Sequence, residues 1–567
     1  MKTSKIYSST LHIGFAQINP TVGDFEGNKK KIISYIKEAQ ERGVELLIFP
    51  ELAVTGYPVW DLAKNSSFVE KSMQSLDEIA RETRNLKVVV VLGYIQKGSQ
   101  GGFRNRSYNA AALIQNGKIL ARQFKTLLPT YDVFLEEIFF EPAREQHVIS
   151  LFGTKLGIGI CEDLWEDDYE KKPLALFKKK GAKIIINISA SPFHRNKGEF
   201  RAKLISRKAK QYGVFLLYCN QVGAQDELIF DGRCVISDSK GRVIFESTAF
   251  REGLYDAVVD LKNPMPEIKL DSSKLEAAEI YDALVLGIRD YVRKNGFKKV
   301  LVGISGGIDS ALVATLAADA IGASNVLGVT MPGPYSSTGS VEDSKKLAKK
   351  LGIEFREHPI GAIYDFKLRE IIENKKKENI PIPTQGEISL AMENLQARLR
   401  ALELMFISND EGRLLLSTGN KSEMAMGYCT LYGDMSGGLS VLGDVYKTDV
   451  YRLAEYRNRI SSVIPQETID KKPSAELRPN QTDQDSLPPY EILDKILCWY
   501  IEGNKTPKEI EKLLKGKTDL NLIREVIRKV DHNEYKRRQA APILRVTEKA
   551  WFGRRMPITN RFDVVEK

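Results

Sequence analysis

The segment Gly303-Ile304-Ser305-Gly306-Gly307-Ile308-Asp309-Ser310 constrains the fold of this chain more than any other. A buried-strand pattern, Lys298 to Ile304, leads into it, and a helical pattern runs on through Ala311 to Ile321. Strand, glycine loop and helix in that order are the unit of a doubly wound nucleotide fold. Small residues let backbone N–H groups approach a phosphate closely, and the following helix points its positive end at the same spot. Asp309 can hold a magnesium ion bridging such phosphates, and Ser310 can donate its hydroxyl. A bare Ser-Gly-Gly is also compatible with a simple glycine turn capped by Asp or Ser. The segment matches neither the G-x-x-x-x-G-K-[ST] of P-loop ATPases nor the G-x-G-x-x-G of dinucleotide dehydrogenases.

At 567 residues the chain needs two or three hydrophobic cores. From Leu11 to about Asp260, short apolar runs alternate with amphipathic stretches: Leu46 to Phe49, Lys87 to Leu92, Leu156 to Ile160, Lys183 to Ile188 and Val214 to Cys219. That rhythm predicts α/β layering. Lys262 to Ser273, with Pro264 and Pro266, loses periodicity. The expected organisation is therefore residues 1–261, a linker at 262–274, and a second domain at 275–567, with helix resuming at Leu275. In that second domain, strands are expected at Asn325 to Thr330 and Arg413 to Ser417. A long helix from about Gly386 to Ile407 should place Ile388, Ala391, Leu395, Leu399, Leu402 and Phe406 on one face. Pro465 to Tyr490 reads as a long functional loop rather than a helix. A basic tail begins at His532.

Composition removes several function classes. The five cysteines, Cys161, Cys219, Cys234, Cys429 and Cys498, are scattered without C-x-x-C spacing, and the five histidines form no ligand pattern. Any metal should be a hard cation on carboxylates and phosphates. Net charge is +10, yet the lysines are dispersed and no aromatic-interleaved RNA motif is visible, so phosphate pockets are expected rather than nucleic acid. No apolar run approaches the roughly 18 residues that cross a bilayer, and Met1 to Thr10 has no signal-peptide core. A cytoplasmic enzyme without membrane partners is expected.

The glycine loop resembles the signature of the N-type ATP pyrophosphatases, which cleave the α–β bond of ATP and adenylate a substrate. Met331-Pro332-Gly333-Pro334-Tyr335-Ser336-Ser337, Glu393-Asn394-Leu395-Gln396-Ala397-Arg398, Ser417-Thr418-Gly419-Asn420-Lys421-Ser422-Glu423 and Lys447-Thr448-Asp449-Val450 together resemble the NAD synthetases. So do Lys472-Pro473-Ser474-Ala475-Glu476-Leu477 and Asp485-Ser486-Leu487-Pro488. The resemblance implies a doubly wound parallel sheet that amidates nicotinic acid adenine dinucleotide (deamido-NAD) to NAD, with ATP going to AMP and pyrophosphate. It further implies that residues 303–310 and Thr418 contact ATP. Asn394, Glu423, Tyr428, Leu431 and Lys536 would contact deamido-NAD, and Asp309 and Glu423 would hold Mg2+. Lys421, Lys447 and Lys536 supply the cations that phosphate chemistry calls for. Members of that family share the dinucleotide pocket between two subunits, which implies a homo-oligomer of synthetase dimers, up to an octamer.

In the first half, Glu51, Lys125 and Cys161 stand at or near the ends of apolar runs, where sites are built. A thiolate nucleophile needs a base for its proton and a cation for developing oxyanion charge. With Cys161-Glu162-Asp163-Leu164-Trp165 and Leu128-Pro129-Thr130-Tyr131-Asp132-Val133-Phe134, these residues resemble the nitrilase superfamily, whose fold is an α-β-β-α sandwich. By that resemblance Glu136 is a further active-site carboxylate, and Tyr131, Glu162, Ser191 and Lys197 bind glutamine, with Arg195 near enough to replace Lys197. Cys219 and Cys234 read as core.

A nitrilase-like amidase joined to a synthetase resembles the glutamine-dependent NAD synthetases, in which ammonia released through a Cys161 thioester would travel inside the protein to the adenylate. Related amidotransferases fit less well: Lys2 stands where asparagine synthetase has its cysteine, and no histidine accompanies Cys161 as in GMP synthetase. A tRNA-thiolating enzyme would want paired cysteines near the loop, and Cys429 stands alone. A nucleic-acid binder carrying a degenerate nucleotide fold would release no AMP.

Overall fold

Runs that are apolar at every position, such as Ile184-Ile185-Ile186, need both faces of a sheet covered. A computed structural model, describing residues 10–98, 106–268, 276–382 and 388–562, shows how each half does this. The chain divides into two compact units, Met1–Lys274 and Leu275–Lys567.

In the first unit, β1 (Thr10–Gln17), β2 (Leu46–Ile48), β3 (Val89–Lys97), β4 (Ser107–Gln115) and β5 (Lys118–Phe124) form one sheet. β6 (Val148–Leu151), β7 (Thr154–Ile160), β8 (Ile184–Ser189) and β9 (Phe215–Asn220) begin the other. After a hairpin of β10 (Val222–Gln225) and β11 (Leu228–Asp231), β12 (Val235–Ser237) and β13 (Val243–Glu246) complete that second sheet. β14 (Gly253–Asp260) then returns to pair antiparallel with β1. The central pairs β1–β2–β3 and β7–β8–β9 are parallel.

Alternation decides the layers. Ile158, Ile160, Ile184, Ile186, Ile188 and Leu217 meet Ile13, Phe15, Leu46, Ile48, Val89 and Val91 between the sheets. Their neighbours point outward: Leu47, Phe49, Val90 and Leu92 pack under the helices Phe25–Glu41 and Ser66–Glu82. Ile185 and Leu216 pack with Leu174, Phe177, Leu204 and Ile205 of the helices Pro173–Lys179 and Lys197–Tyr212. The result is an α-β-β-α sandwich. Cys219 and Cys234 lie in the inter-sheet core, with Sγ atoms 3.9 Å apart.

In the second unit, β15 (Val300–Gly303), β16 (Val326–Thr330), β17 (Glu354–Glu357), β18 (Leu414–Ser417) and β19 (Leu439–Ser440) form a wholly parallel sheet in the order β17-β16-β15-β18-β19. The chain winds outward from β15 in one direction and then from β18 in the other. The switch point between those two strands is where doubly wound sheets bind ligands. The helix Ile308–Ile321 is buried on nearly every side, which its run of Ala and Leu permits.

Four expectations need revision. The long helix spans Leu390–Glu411, Gly386 lying outside the described residues, and its buried positions are Gln396, Ala397, Ala401 and Ile407. Leu402 and Phe406 of the expected stripe are exposed, at 62% and 68%. Helical spacing identifies an apolar face but not what covers it. The segment from Pro465 holds a helical turn, Gln466–Asp470, because Pro465 stands just ahead of it and costs no hydrogen bond there. The described part of the basic tail, to residue 562, is packed: Arg537 and Arg554 are buried and share Glu534. Of the expected linker, residues 262–268 are described, and Ile268 N–H donates to Val243 O. Leu275, where helix was expected to resume, lies outside the described residues, as does Met1 to Ser9.

Candidate functional site

Cys161 follows the last residue of β7 and opens a 3₁₀ turn, Cys161–Asp168. Its φ of +45° places a non-glycine residue in the left-handed region, so the surroundings must hold the turn. Asp163 does much of this: Oδ2 accepts from Ile160 N–H (2.9 Å), while Oδ1 accepts from Thr126 N–H (3.0 Å) and Leu127 N–H (2.9 Å). One carboxylate thus ties the cysteine turn to the chain that carries Lys125. Asn187 Nδ2 adds a 3.4 Å contact to Cys161 O.

Glu51 sits just beyond β2, pressed against β3 where Gly93 has no side chain. A Cβ there would lie 2.4 Å from both Pro50 O and Leu52 N. Glu51 Oε1 accepts from Lys125 Nζ (2.8 Å) and Asn109 Nδ2 (2.6 Å), and Oε2 accepts from Ala190 N–H (2.8 Å). Lys125 Nζ also reaches both Glu136 oxygens, and Tyr57 OH donates to Glu136 Oε1 at 3.2 Å. All of these groups are buried.

Burial pulls the Lys125 ammonium toward neutrality, but the Glu136 and Glu51 carboxylates outweigh it and hold it well above the usual lysine range. Burial raises Glu136 to about 7, against the pull of Lys125 and with Glu51 adding to the rise. The Cys161 thiol is pushed up by burial and then by Glu51, while Lys125 favours its thiolate. Proton transfer from thiol to Glu51 would remove the carboxylate charge that opposes it, with Lys125 beside both groups.

Around this cluster, Tyr131 OH donates to both Glu162 oxygens (3.0 and 3.1 Å), and Tyr169 OH donates to Oε1 (3.0 Å). Ser191 is held by Asn220, through Ser191 N–H to Oδ1 (2.8 Å) and Nδ2 to Ser191 O (3.2 Å). Lys197 Nζ lies 4.2 Å from the Trp165 ring centre, and its charge acts on Glu162.

The second unit contains a cavity of about 400 Å³ at the ends of β15 and β18. Gly303, Ile304, Ser305, Gly307, Ile308, Asp309 and Ser310 line it, as do Thr418, Asn394, Glu423, Tyr428 and Lys536. Gly306 and Leu431 are not among the lining residues. Gly306 instead turns the loop at φ +82°, where a Cβ would fall 2.5 Å from Ser340 O. Leu431 O accepts from Arg398 Nε. Ser310 Oγ donates within the loop, to Gly307 O at 3.0 Å. Asn394 Oδ1 accepts from Thr430 Oγ1 (2.8 Å), and Lys536 Nζ donates to Gly427 O (2.7 Å) and Cys429 O (2.9 Å).

Lys447 Nζ pairs with Asp309 Oδ2 and, at 3.3 Å, with Glu423 Oε1. Asn420 Nδ2 donates to Asp309 Oδ1 at 2.9 Å. Burial raises Glu423 to about 8, with Lys447 opposing and Asp309 and Asp483 reinforcing the rise. Two carboxylates, Asp309 and Glu423, share the Lys447 ammonium, and Asp483 acts on it from farther away. Among the described residues no three acidic, His or Cys side chains gather as a metal site, so a hard cation there would take most of its ligands from phosphate oxygens. Lys421 is not part of this. It is fully buried among Asp444, Glu502 and Thr547, which makes it a core ion pair rather than a phosphate ligand.

A family model described as carbon-nitrogen hydrolase matches residues 12–263, and one described as NAD synthase matches residues 280–540. The glutamine-dependent NAD(+) synthetase of Thermotoga maritima is 43% identical over 97% of this chain and 99% of its own length. The chain belongs to the glutamine-dependent NAD(+) synthetase family. The family's Synechocystis member is likewise 43% identical, over 97% of this chain and 99% of its own. The structure of the glutamine-dependent NAD+ synthetase of Acinetobacter baumannii, in complex with adenosine diphosphate, is 36% identical. It superposes with a TM-score of 0.74, covering 98% of this chain and all of that one.

Sequence reasoning missed the supporting groups Tyr57, Asn109, Asp163 and Asn187, and also Asn420 and Asp483. Tyr57, Asn109 and Asn187 lie in largely apolar runs, Asp483 lies in a polar stretch, and Asp163 and Asn420 lie inside the quoted motifs without anything in the sequence naming their partners. Asp163, two residues beyond the cysteine, was the most accessible signal.

Proposed function

We propose that the two sites divide one reaction, the amidation of deamido-NAD to NAD with nitrogen taken from glutamine. The observation that carries the reading is the ammonium of Lys125 holding Glu51 and Glu136 together in a dry site below a strained cysteine turn. Cys161 Sγ attacks the side-chain amide carbon of glutamine, and Glu51 takes the thiol proton and delivers it to the departing ammonia. Lys125 steadies the tetrahedral oxyanion. Water then hydrolyses the thioester to glutamate. Glu136 keeps Lys125 charged and in place. Tyr131, Glu162, Ser191 and Lys197 hold the amino-acid end of the substrate.

In the second unit, residues 303–310 and Thr418 hold ATP, and Asn394, Glu423, Tyr428 and Lys536 hold deamido-NAD. Leu431, expected at this substrate, lies outside the cavity lining and holds Arg398 through its carbonyl. The carboxylate of deamido-NAD attacks the α-phosphorus, pyrophosphate leaves, and ammonia displaces AMP. Asp309 and Glu423 would hold Mg2+, which when bound withdraws charge from the phosphates. Lys447 holds those two carboxylates together and balances charge on the pyrophosphate side. Free ammonia at neutral pH is mostly ammonium, which is not a nucleophile, so an enclosed path between the sites serves the chemistry. The exposed apolar side chains Phe366, Leu390, Leu402 and Phe406 support self-association of synthetase units into a homo-oligomer.

Purified full-length chain given glutamine, ATP, Mg2+ and deamido-NAD should form NAD, AMP and pyrophosphate. Failure to form NAD even with ammonium chloride as the nitrogen source would overturn the reading.

A further inference from the structure

The helix Lys197–Tyr212 buries two cations, Arg201 and Lys208, with Leu204 and Ile205 buried between them on the same face. Arg201 Nη2 donates to Asp231 Oδ1 (2.9 Å), Asp231 Oδ2 (2.8 Å) and Gly232 O (3.2 Å). Lys208 Nζ donates to Glu166 Oε1 at 3.2 Å, and Glu166 belongs to the turn that Cys161 opens. One helix is thus tied to the cysteine turn at one point and to the end of β11 at another.

From Asp231 the bonds lead on to Ser191. Asn220 Nδ2 donates to Asp231 Oδ1 at 3.3 Å, and the same amide brackets the Ser191 backbone, accepting from its N–H at Oδ1 (2.8 Å) and donating from Nδ2 to its carbonyl (3.2 Å). A carboxylate only accepts, so Asp231 dictates which end of the amide is which: Nδ2 must face Asp231 and Ser191 O, leaving Oδ1 for Ser191 N–H. A turned amide would set two oxygens against each other. Arg201, Asp231 and Asn220 are at most 1% exposed, so bulk solvent does not compete for these bonds.

Stability of the fold does not account for the pair. Apolar side chains of similar volume often serve a core as well as a buried ion pair does. Arg201 Nη1 makes no hydrogen bond among the described residues, so the core carries a cation that is only partly satisfied. What the cation supplies, and an apolar group cannot, is a fixed charge that keeps Asp231 ionised as an acceptor.

We infer that Arg201 is a positioning residue of the amidase unit, which through Asp231 and Asn220 fixes Ser191 for the amino-acid end of glutamine. The inference rests on the proposed contact of Ser191 with that substrate. The adjacent Ala190 N–H is held separately, by Glu51 Oε2 at 2.8 Å, so loosening Ser191 leaves the base in place. The amino-acid end does not change during the reaction, and losing a contact of that kind raises KM with little change in kcat.

The test measures NAD formation by full-length wild-type, R201K, R201M/D231V and S191A chains, with glutamine or ammonium chloride as nitrogen donor, together with their urea midpoints. R201M/D231V removes both charges at once, so its midpoint should stay close to wild type. Its KM for glutamine should nevertheless rise about tenfold, with kcat held within about threefold. R201K keeps a charge against Asp231 but not the planar guanidinium, and its KM should fall between the two. Rates with ammonium chloride should stay at the wild-type value in every variant. A wild-type KM in the double variant, or a KM that rises only as the midpoint falls, would overturn the inference. If the double variant does not fold, R201K decides: a raised KM at the wild-type midpoint supports the inference, and a wild-type KM overturns it. S191A with a wild-type KM would instead remove the glutamine contact on which the inference rests.

Discussion

Lys125 Nζ donates to Glu51 Oε1 at 2.8 Å, with both side chains wholly shielded from solvent. The same ammonium pairs with Glu136 Oε2 at 2.7 Å, so one cation serves two buried carboxylates. Removing it leaves both carboxylates uncompensated, and breaking a buried pair in that way costs about 3–5 kcal/mol. K125M should therefore lose glutamine hydrolysis and lower the denaturant midpoint of the first unit. Wild-type hydrolysis by K125M would exclude the oxyanion role.

Cys161 is the group whose loss separates the two activities. C161A should abolish NAD formation from glutamine and leave formation from ammonium chloride near the wild-type rate. Parallel assays with the two nitrogen donors read this directly. Equal loss with both donors would reject the division into two sites.

The buried carboxyls of the first unit make its stability depend on pH. Burial raises Glu136 from the ordinary 4.5 to about 7, Lys125 opposing, and raises Asp163 from 3.8 to about 7, with hydrogen bonds from Ile160, Leu127 and Thr126 opposing. Across that window the native state holds protons that the unfolded chain releases. Stability must then fall as pH rises from about 4.5 to 7, by at most about 1.4 kcal/mol per pH unit for each proton. Urea midpoints of the full-length chain should show this decline, and E136Q should make it shallower while leaving the share from Asp163. Identical slopes would mean that Glu136 does not titrate there.

Asp309 should matter to the other half of the reaction alone. D309N keeps the shape of the loop but removes a charge that faces Lys447 and the proposed magnesium position. NAD formation from ammonium chloride should fall by about 10²–10³, and glutamine hydrolysis by the first unit should persist. A D309N chain that makes NAD normally would take Asp309 out of the phosphate site.

Much of this architecture was legible in the chain itself. The apolar runs at Leu46, Lys87, Lys183 and Val214 locate strands because a strand covered on both faces is apolar at nearly every position, with the few polar residues in it, such as Asn187, held by hydrogen bonds. The glycine loop announces its strand and helix because phosphate approach requires small residues. The supporting groups were not legible. Tyr57 and Asn109 act on Glu136 and Glu51 from positions distant in sequence, and Lys421 and Lys447, similar as residues in a string, separate only when folded. One is a core ion pair with Asp444, and the other faces the cavity beside Asp309.

The residue types and spacings determined two α/β units, their strands, and the identities of Glu51, Lys125, Cys161 and Asp309 as candidate groups, because backbone geometry and burial act locally and leave periodic marks. Which charges share a site was decided only by the tertiary structure. Electrostatic energy depends on distance and burial, and nothing in the order of residues states that Lys125 lies between Glu51 and Glu136, or that Arg201 reaches Ser191 through Asp231 and Asn220.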